Sequence, residues 1–141
     1  MSLKLILRDY AKIVEQYPDA ETLFDPNAVK LVRNVATAEW GDALYFSRAP
    51  IPWPRDGASA GITSQTAFGG AWRHVGLYAY RAGFLRRFPQ LPPAPLEQHE
   101  SLEQLRALAH GFGIAVIELP EALPPAACWA CTRRSCARLF G

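Results

Sequence analysis

Between Trp72 and Arg81 the chain reads Trp-Arg-His-Val-Gly-Leu-Tyr-Ala-Tyr-Arg, a strand-like run with polar rings where plain aliphatics would serve a sheet. Side chains alternate across an extended strand, so His74, Gly76, Tyr78 and Tyr80 share one face and Val75, Leu77 and Ala79 the other. The apolar face would meet a core; the polar face, with an imidazole and two phenols, offers donors, acceptors and ring surface to a ligand. A lone strand histidine is more often a satisfied structural residue, so the reading needs the rings to act together. Spacing sets a condition on that, because four residues along a flat strand cover about 13 Å. A bend or bulge near Gly76 is therefore predicted, swinging His74 toward Tyr78 so that both can touch one small ligand. Arg48, just after Ser47, could be a plain surface charge, yet its guanidinium fork fits a carboxylate bidentately, and Arg73 could serve the same charge.

A second group of reactive side chains lies in the last fourteen residues, Cys128, Cys131 and Cys136. An odd number leaves one thiol outside any disulfide scheme, and a Cys-x-x-Cys pair supplies only half of a tetrahedral zinc site. The remaining ligand beyond Cys136 would have to be the distant His99 or His110. A tail of reduced thiols is the simpler reading, and the Pro124-Pro125 context does not suit a thioredoxin-like helix start.

The elements that must carry these residues are legible in outline. Leu3, Leu7, Tyr10, Ala11 and Val14 recur at steps of three and four, which predicts an amphipathic helix over 3–17, ended by Pro18. Val29 to Val35 and Ala43 to Ser47 read as neighbouring strands, with Leu44 and Phe46 on one face and Tyr45 and Ser47 on the other. Three prolines between Ala49 and Pro54 exclude a central strand there. The Gly-, Ser- and Thr-rich stretch from Arg55 to Gly70 reads as the least ordered interior loop. Phe84 to Phe88 forms a short helix stopped by Pro89. Glu97 to Ala109 is predicted as one helix with Leu102, Leu105, Leu108 and Ala109 buried, Glu103 and Gln104 on its flank and outer face, and Gly111 as the stop. Ile114 to Leu119 adds a last strand. No internal repeat is present.

At 141 residues the chain suits a single domain able to bury a real core. Fifteen basic against thirteen acidic residues give a net charge of +2, too balanced to announce a nucleic-acid partner. The opening Leu3-Lys4-Leu5-Ile6-Leu7 is too short and too charged at its flanks for a signal peptide or a spanning helix. A cytoplasmic protein with no membrane partner is expected.

Leu44-Tyr-Phe-Ser-Arg-Ala-Pro-Ile-Pro-Trp53, the Trp72 to Arg81 strand, Pro95-Leu-Glu97 and Leu102-Glu-Gln-Leu-Arg106 together resemble the sugar-acid-binding half of the 3-deoxy-manno-octulosonate (Kdo) cytidylyltransferases, the CMP-Kdo synthetases. The resemblance implies an α/β fold, with a mixed sheet and flanking helices, corresponding to the C-terminal part of a Rossmann-like nucleotide-diphospho-sugar transferase fold. It implies that the anomeric hydroxyl of Kdo attacks the α-phosphate of CTP, with Mg2+ neutralising the phosphates, and that CMP-Kdo and pyrophosphate leave, for lipopolysaccharide synthesis. Substrate contacts implied here are Ser47, Arg48, Arg73, His74, Tyr78, Glu103 and Gln104, the glutamate suiting vicinal sugar hydroxyls.

On this reading 19–119 is family-like, 1–18 is an unmatched N-terminal helix and 120–141 is an atypical Cys- and Arg-rich tail. The family's phosphate loop is absent, as is the Gly-Val-Asp-Thr-Pro segment whose aspartate holds magnesium, so Mg2+ binding by this chain alone is not expected. CTP is expected only if the missing half is supplied. A change of reading frame after the last matching strand would account for the tail. A homodimer is expected from sheet surface left uncovered. The alternative is a non-catalytic remnant or dimerisation module.

Overall fold

Five strands pair in a closed ring in the computed structural model of the chain, which describes residues 10–16, 20–34, 40–53, 55 and 72–118. They are β1 (Tyr10–Gln16), β2 (Lys30–Arg33), β3 (Trp40–Ser47), β4 (Trp72–Tyr80) and β5 (Ile114–Glu118), in the order β1-β4-β2-β3-β5 around the ring. The sheet is mixed: β5 runs parallel to β1 and antiparallel to β3, and every other pairing is antiparallel. The predicted β2 and β3 neighbours do pair. The β2–β4 seam is short, only Lys30↔Arg73 and Leu31↔Trp72.

The helix predicted over 3–17 is not found: Tyr10–Gln16 is a strand. Steps of three and four through Leu7, Tyr10, Ala11 and Val14 suggest a helix, but the same stretch carries the β-branched pair Ile13 and Val14. As a strand between β4 and β5, its backbone donors and acceptors are satisfied on both sides. Residues 1–9 lie outside the described part, as do the Arg55 to Gly70 loop beyond Arg55 itself and the cysteine tail.

Among the described residues four short helices flank the ring: α1 (Ala20–Phe24), α2 (Ala82–Arg87), α3 (Pro95–Glu100) and α4 (Gln104–Ala109), with a 3-10 turn at Phe88–Gln90. None of the described helices is long and apolar enough to cross a membrane. The core joins Leu31, Phe46, Trp72, Ile114 and Val116 from the strands to Phe84, Leu102, Leu105 and Ala107 from the helical side.

The single helix predicted over 97–109 is two helices, broken where Ser101 adopts a left-handed conformation (φ 53°, ψ 49°) and Leu102 N–H reaches back to the Glu97 carbonyl at 3.2 Å. That break resets the helical phase, so Gln104 is buried and Ala109 exposed, the reverse of the expectation. Gly111 does stop α4: its N–H bonds the Leu108 carbonyl at 3.0 Å and Phe112 N–H the Ala107 carbonyl at 2.9 Å, a Schellman closure. Phe112 then packs against the core.

In β3 the strict alternation fails as well. Val32 faces Tyr45 but Arg33 faces Ala43, so Leu44 is an extra residue in a bulge and stands 60% exposed while Phe46 is buried.

Candidate functional site

The bulge predicted near Gly76 is present. Lys12 faces Tyr78 and Val14 faces His74, so two steps of β1 match four steps of β4, and Gly76 takes a φ of +88°. Two strand steps are about 7 Å, the distance between same-face neighbours, rather than the 13 Å of an unbroken strand. The rings of His74 and Tyr78 accordingly lie 5.4 Å apart, centroid to centroid. The glycine accounts for this contraction, since its backbone enters a region that L-residues avoid. One expectation fails here: beyond Trp72 neither face of β4 is fully buried, Val75 and Leu77 being half-buried and Ala79 exposed.

The ring pair belongs to a longer series. His74 meets Phe46 edge-on at 6.3 Å, Tyr78 lies 6.2 Å from Tyr80, and Tyr80 stacks on Phe84 of α2 at 6.1 Å with an interplanar angle of 8°. Phe84 in turn contacts Phe88 and Phe112. The inner end is core and the middle is open, Tyr78 being 48% exposed. Partial burial pushes the Tyr78 phenol above its ordinary value of 10.0, and the charges of Tyr80 and Glu103 push it further. Glu103 is exposed at the start of α4. The surface carries phenols and an imidazole, a set able to hydrogen-bond a polyhydroxylated ligand while the rings contact its apolar faces.

Ser47 and Arg48 form a different cluster, centred on Glu100. The Glu100 carboxylate accepts hydrogen bonds from Ser47 Oγ at 2.7 Å, Tyr45 Oη at 3.3 Å and the Arg48 backbone N–H at 2.8 Å. Arg48 answers with its side chain, Nε donating to the Glu100 carbonyl at 2.7 Å, Nη1 to the Pro26 carbonyl at 2.9 Å and Nη2 to the Ser101 carbonyl at 3.4 Å. Ser47 is buried and its hydroxyl also accepts the Ala49 N–H. The guanidinium read as a carboxylate fork is therefore engaged with backbone carbonyls. Lys30, fully buried beside this cluster, donates to the Asp25 and Ala28 carbonyls, both at 2.6 Å; burial lowers its pKa, against the pull of Asp25.

Of the remaining candidates, Arg73 follows Trp72 on the strand face opposite His74, with Nε buried, and Gln104 is buried beneath α4 at 4% exposure. The structure thus brings His74 and Tyr78 together, leaves Glu103 exposed at the start of α4, and gathers Ser47 and Arg48 around Glu100. Glu100 and Lys30 were missed. Glu100 looks like any solvated helix residue in the sequence, and its partners lie 52 to 55 positions away, so no local pattern could reveal it.

Two carboxylates here respond to acid in a defined sense. Hydrogen bonds from Arg106, at 2.8 and 2.5 Å, hold Glu97 below its ordinary 4.5. For Glu100 burial pushes upward, but the hydrogen bonds from Arg48, Ser47 and Tyr45 outweigh it and the net shift is downward from 4.5. A depressed folded pKa contributes stability that is present above about pH 4.5 and is lost as pH falls through the folded values. Urea midpoints taken from about pH 6 to about pH 3 should fall more steeply for the natural chain than for Glu97→Gln; parallel curves would refute this.

Among the described residues no three His, Cys, Asp or Glu side chains converge as metal ligands. A family model described as cytidylyltransferase matches residues 4–117, starting well before the expected boundary at Asp19. A 3-deoxy-manno-octulosonate cytidylyltransferase of Xanthomonas oryzae pv. oryzae is 53% identical over 117 residues, covering 83% of this chain and 44% of that protein. One from Stenotrophomonas maltophilia strain K279a is 58% identical over 107 residues, covering 75% and 40%. The chain thus spans less than half the length of these curated relatives. A solved CMP:2-keto-3-deoxy-manno-octonic acid synthetase in complex with CTP superposes with a TM-score of 0.66 at 34% identity, over 94% of this chain and 48% of that one. The α/β fold, mixed sheet with flanking helices, is shared with that nucleotide-sugar enzyme.

Proposed function

This chain belongs to the cytidylyltransferase family, and from that premise we propose that it supplies the sugar-acid side of a site that makes CMP-Kdo from CTP and Kdo. The observation that carries this reading is the contraction at Gly76, which sets His74 and Tyr78 5.4 Å apart. Kdo offers hydroxyls to Glu103 and the phenol, and ring carbons to the aromatic faces. In the reaction a bond forms between the anomeric oxygen of Kdo and the α-phosphorus of CTP. The bond from that phosphorus to the bridging oxygen breaks, and pyrophosphate leaves. What these residues do is bind and orient the sugar, a contribution of positioning rather than of covalent chemistry. CTP and Mg2+ fall to the part of the relatives that this chain does not span. The expected homodimer belongs to the same reading, with Leu44, Trp53, Leu85 and Leu96 the large apolar side chains most exposed among the described residues.

One rival reading is a non-catalytic remnant or dimerisation module. Titrating Kdo into the labelled chain and following its amide resonances separates them. Saturable shifts at His74, Tyr78 and Glu103 are expected, with affinity lowered about tenfold or more in Tyr78→Ala, the loss of one hydrogen-bonding ring contact. No Kdo-dependent shift in the natural chain refutes the sugar-acid reading. Pyrophosphate release from CTP and Kdo is expected only when the missing half is added.

A further inference from the structure

We propose that Glu100 is a positioning residue for this site: by tying the α3–α4 elbow to the end of β3, it sets where Glu103, at the start of α4, stands relative to β4. The inference rests on the sugar-acid reading of His74, Tyr78 and Glu103, and adds the residue that brings the two walls into register.

The two walls are built on different elements. His74 and Tyr78 sit on β4, one strand of the ring, while Glu103 sits at the start of α4. Helices α3 and α4 have six residues each, too short to hold a direction unaided. Between them Ser101 is left-handed without being a glycine, a conformation that persists only where the surroundings impose it.

Two braces act on that elbow, and they differ in what they join. The Glu97–Arg106 pair connects α3 to α4, so it fixes the helices against each other. Glu100 connects the elbow to the sheet. Its carboxylate takes three donors from Tyr45, Ser47 and Arg48 at the end of β3, and its carbonyl receives Arg48 Nε in return. Phe46, between those donors, meets His74 edge-on, so the strand that holds Glu100 also carries a wall of the aromatic series. Charge matters as well as reach: a carboxylate offers acceptors only, matching three donors, whereas an amide would aim N–H groups at one of them.

Glu100→Gln in the full chain tests this with two readouts. The Leu105 and Arg106 amides, bonded to the Leu102 and Glu103 carbonyls at 3.0 Å, report on the first turn of α4. Their hydrogen exchange should accelerate about tenfold while the β5 amides keep theirs, and Kdo should bind about tenfold more weakly, the scale of one lost charged hydrogen bond. Ser47→Ala removes one donor and leaves the charge, so smaller changes in the same direction are expected; it also decides the matter should Glu100→Gln fail to fold. Unchanged exchange at Leu105 and Arg106, or equal acceleration in β5, overturns the proposal. Failure of the natural chain to take up Kdo would instead sink the sugar-acid reading, and the exchange rates would still report whether Glu100 holds the elbow.

Discussion

Gly41→Ala should destabilise the chain by about 3 kcal/mol or more, at or beyond the upper end of ordinary overpacking. A Cβ built at Gly41 falls 2.0 Å from the Asn34 carbonyl oxygen, with the Asn34 carbonyl carbon at 3.2 Å and Arg33 Cδ at 3.3 Å. The nearest obstacle is backbone, so a rotamer change cannot relieve it. That backbone is also pinned, because Asn34 N–H bonds the Asp42 carbonyl at 3.0 Å while Asp42 N–H bonds Asn34 Oδ1 at 2.7 Å. Moving Asn34 away would break the turn side of the β2–β3 pair. Gly83 supplies the control: it lies in α2, a Cβ there meets nothing within 4 Å, and alanine favours helix over glycine by up to about 1 kcal/mol. Thermal unfolding should therefore place Gly41→Ala about 10 °C below the natural chain, and Gly83→Ala level with it or above. Equal midpoints for the two variants would show that the close approach at Gly41 does not constrain the fold.

Phe84→Ala carries the second large effect. Phe84 is 2% exposed and is the junction where the aromatic series from β4 meets the core, touching Tyr80, Phe88 and Phe112. Removing a buried phenylalanine costs about 3 to 5 kcal/mol, and each aromatic pair can add about 0.5 to 1.5 kcal/mol to the area lost. The same change leaves the Tyr80 ring without its stacked neighbour, so the outer end of the proposed sugar wall should loosen along with the core. Leu85→Ala, one position on but 53% exposed, should stay within about 0.5 kcal/mol of the natural chain. A urea series in which the two variants unfold together would refute the assignment of Phe84 as the junction.

Sequence periodicity located β2, β3, β4 and β5, because each is a short β-rich run bounded by glycine, proline or a turn. It also located the bulge, since two rings four residues apart could share a ligand only if Gly76 shortened the strand. What it misjudged are outcomes of distant partners. Tyr10–Gln16 satisfies helical spacing and becomes a strand because β4 and β5 lie on either side of it. The break at Ser101 carries no glycine or proline to announce it, and the shift it causes turns Gln104 from an expected surface residue into a buried one. Arg48 was legible as a guanidinium next to a site, but not as one spent on the Glu100, Ser101 and Pro26 carbonyls. Of the candidate site, the face on β4 was readable from alternation alone; the clamp behind it was not, because its members come from three separate stretches of chain.

The ring has a bearing on timing during synthesis. β1 finds its parallel partner only in β5, where Tyr10 lies beside Ile114 and Val14 beside Glu118, and β3 shares that same partner along Trp40 to Asp42. A nascent chain stopped short of Ile114 would hold β1, β2, β3 and β4 as an open ribbon, with β1 and β3 each exposing an edge able to pair with another chain. The ribosome must therefore release Glu118 before the domain can shut, and until then both edges stay open to pairing with other chains.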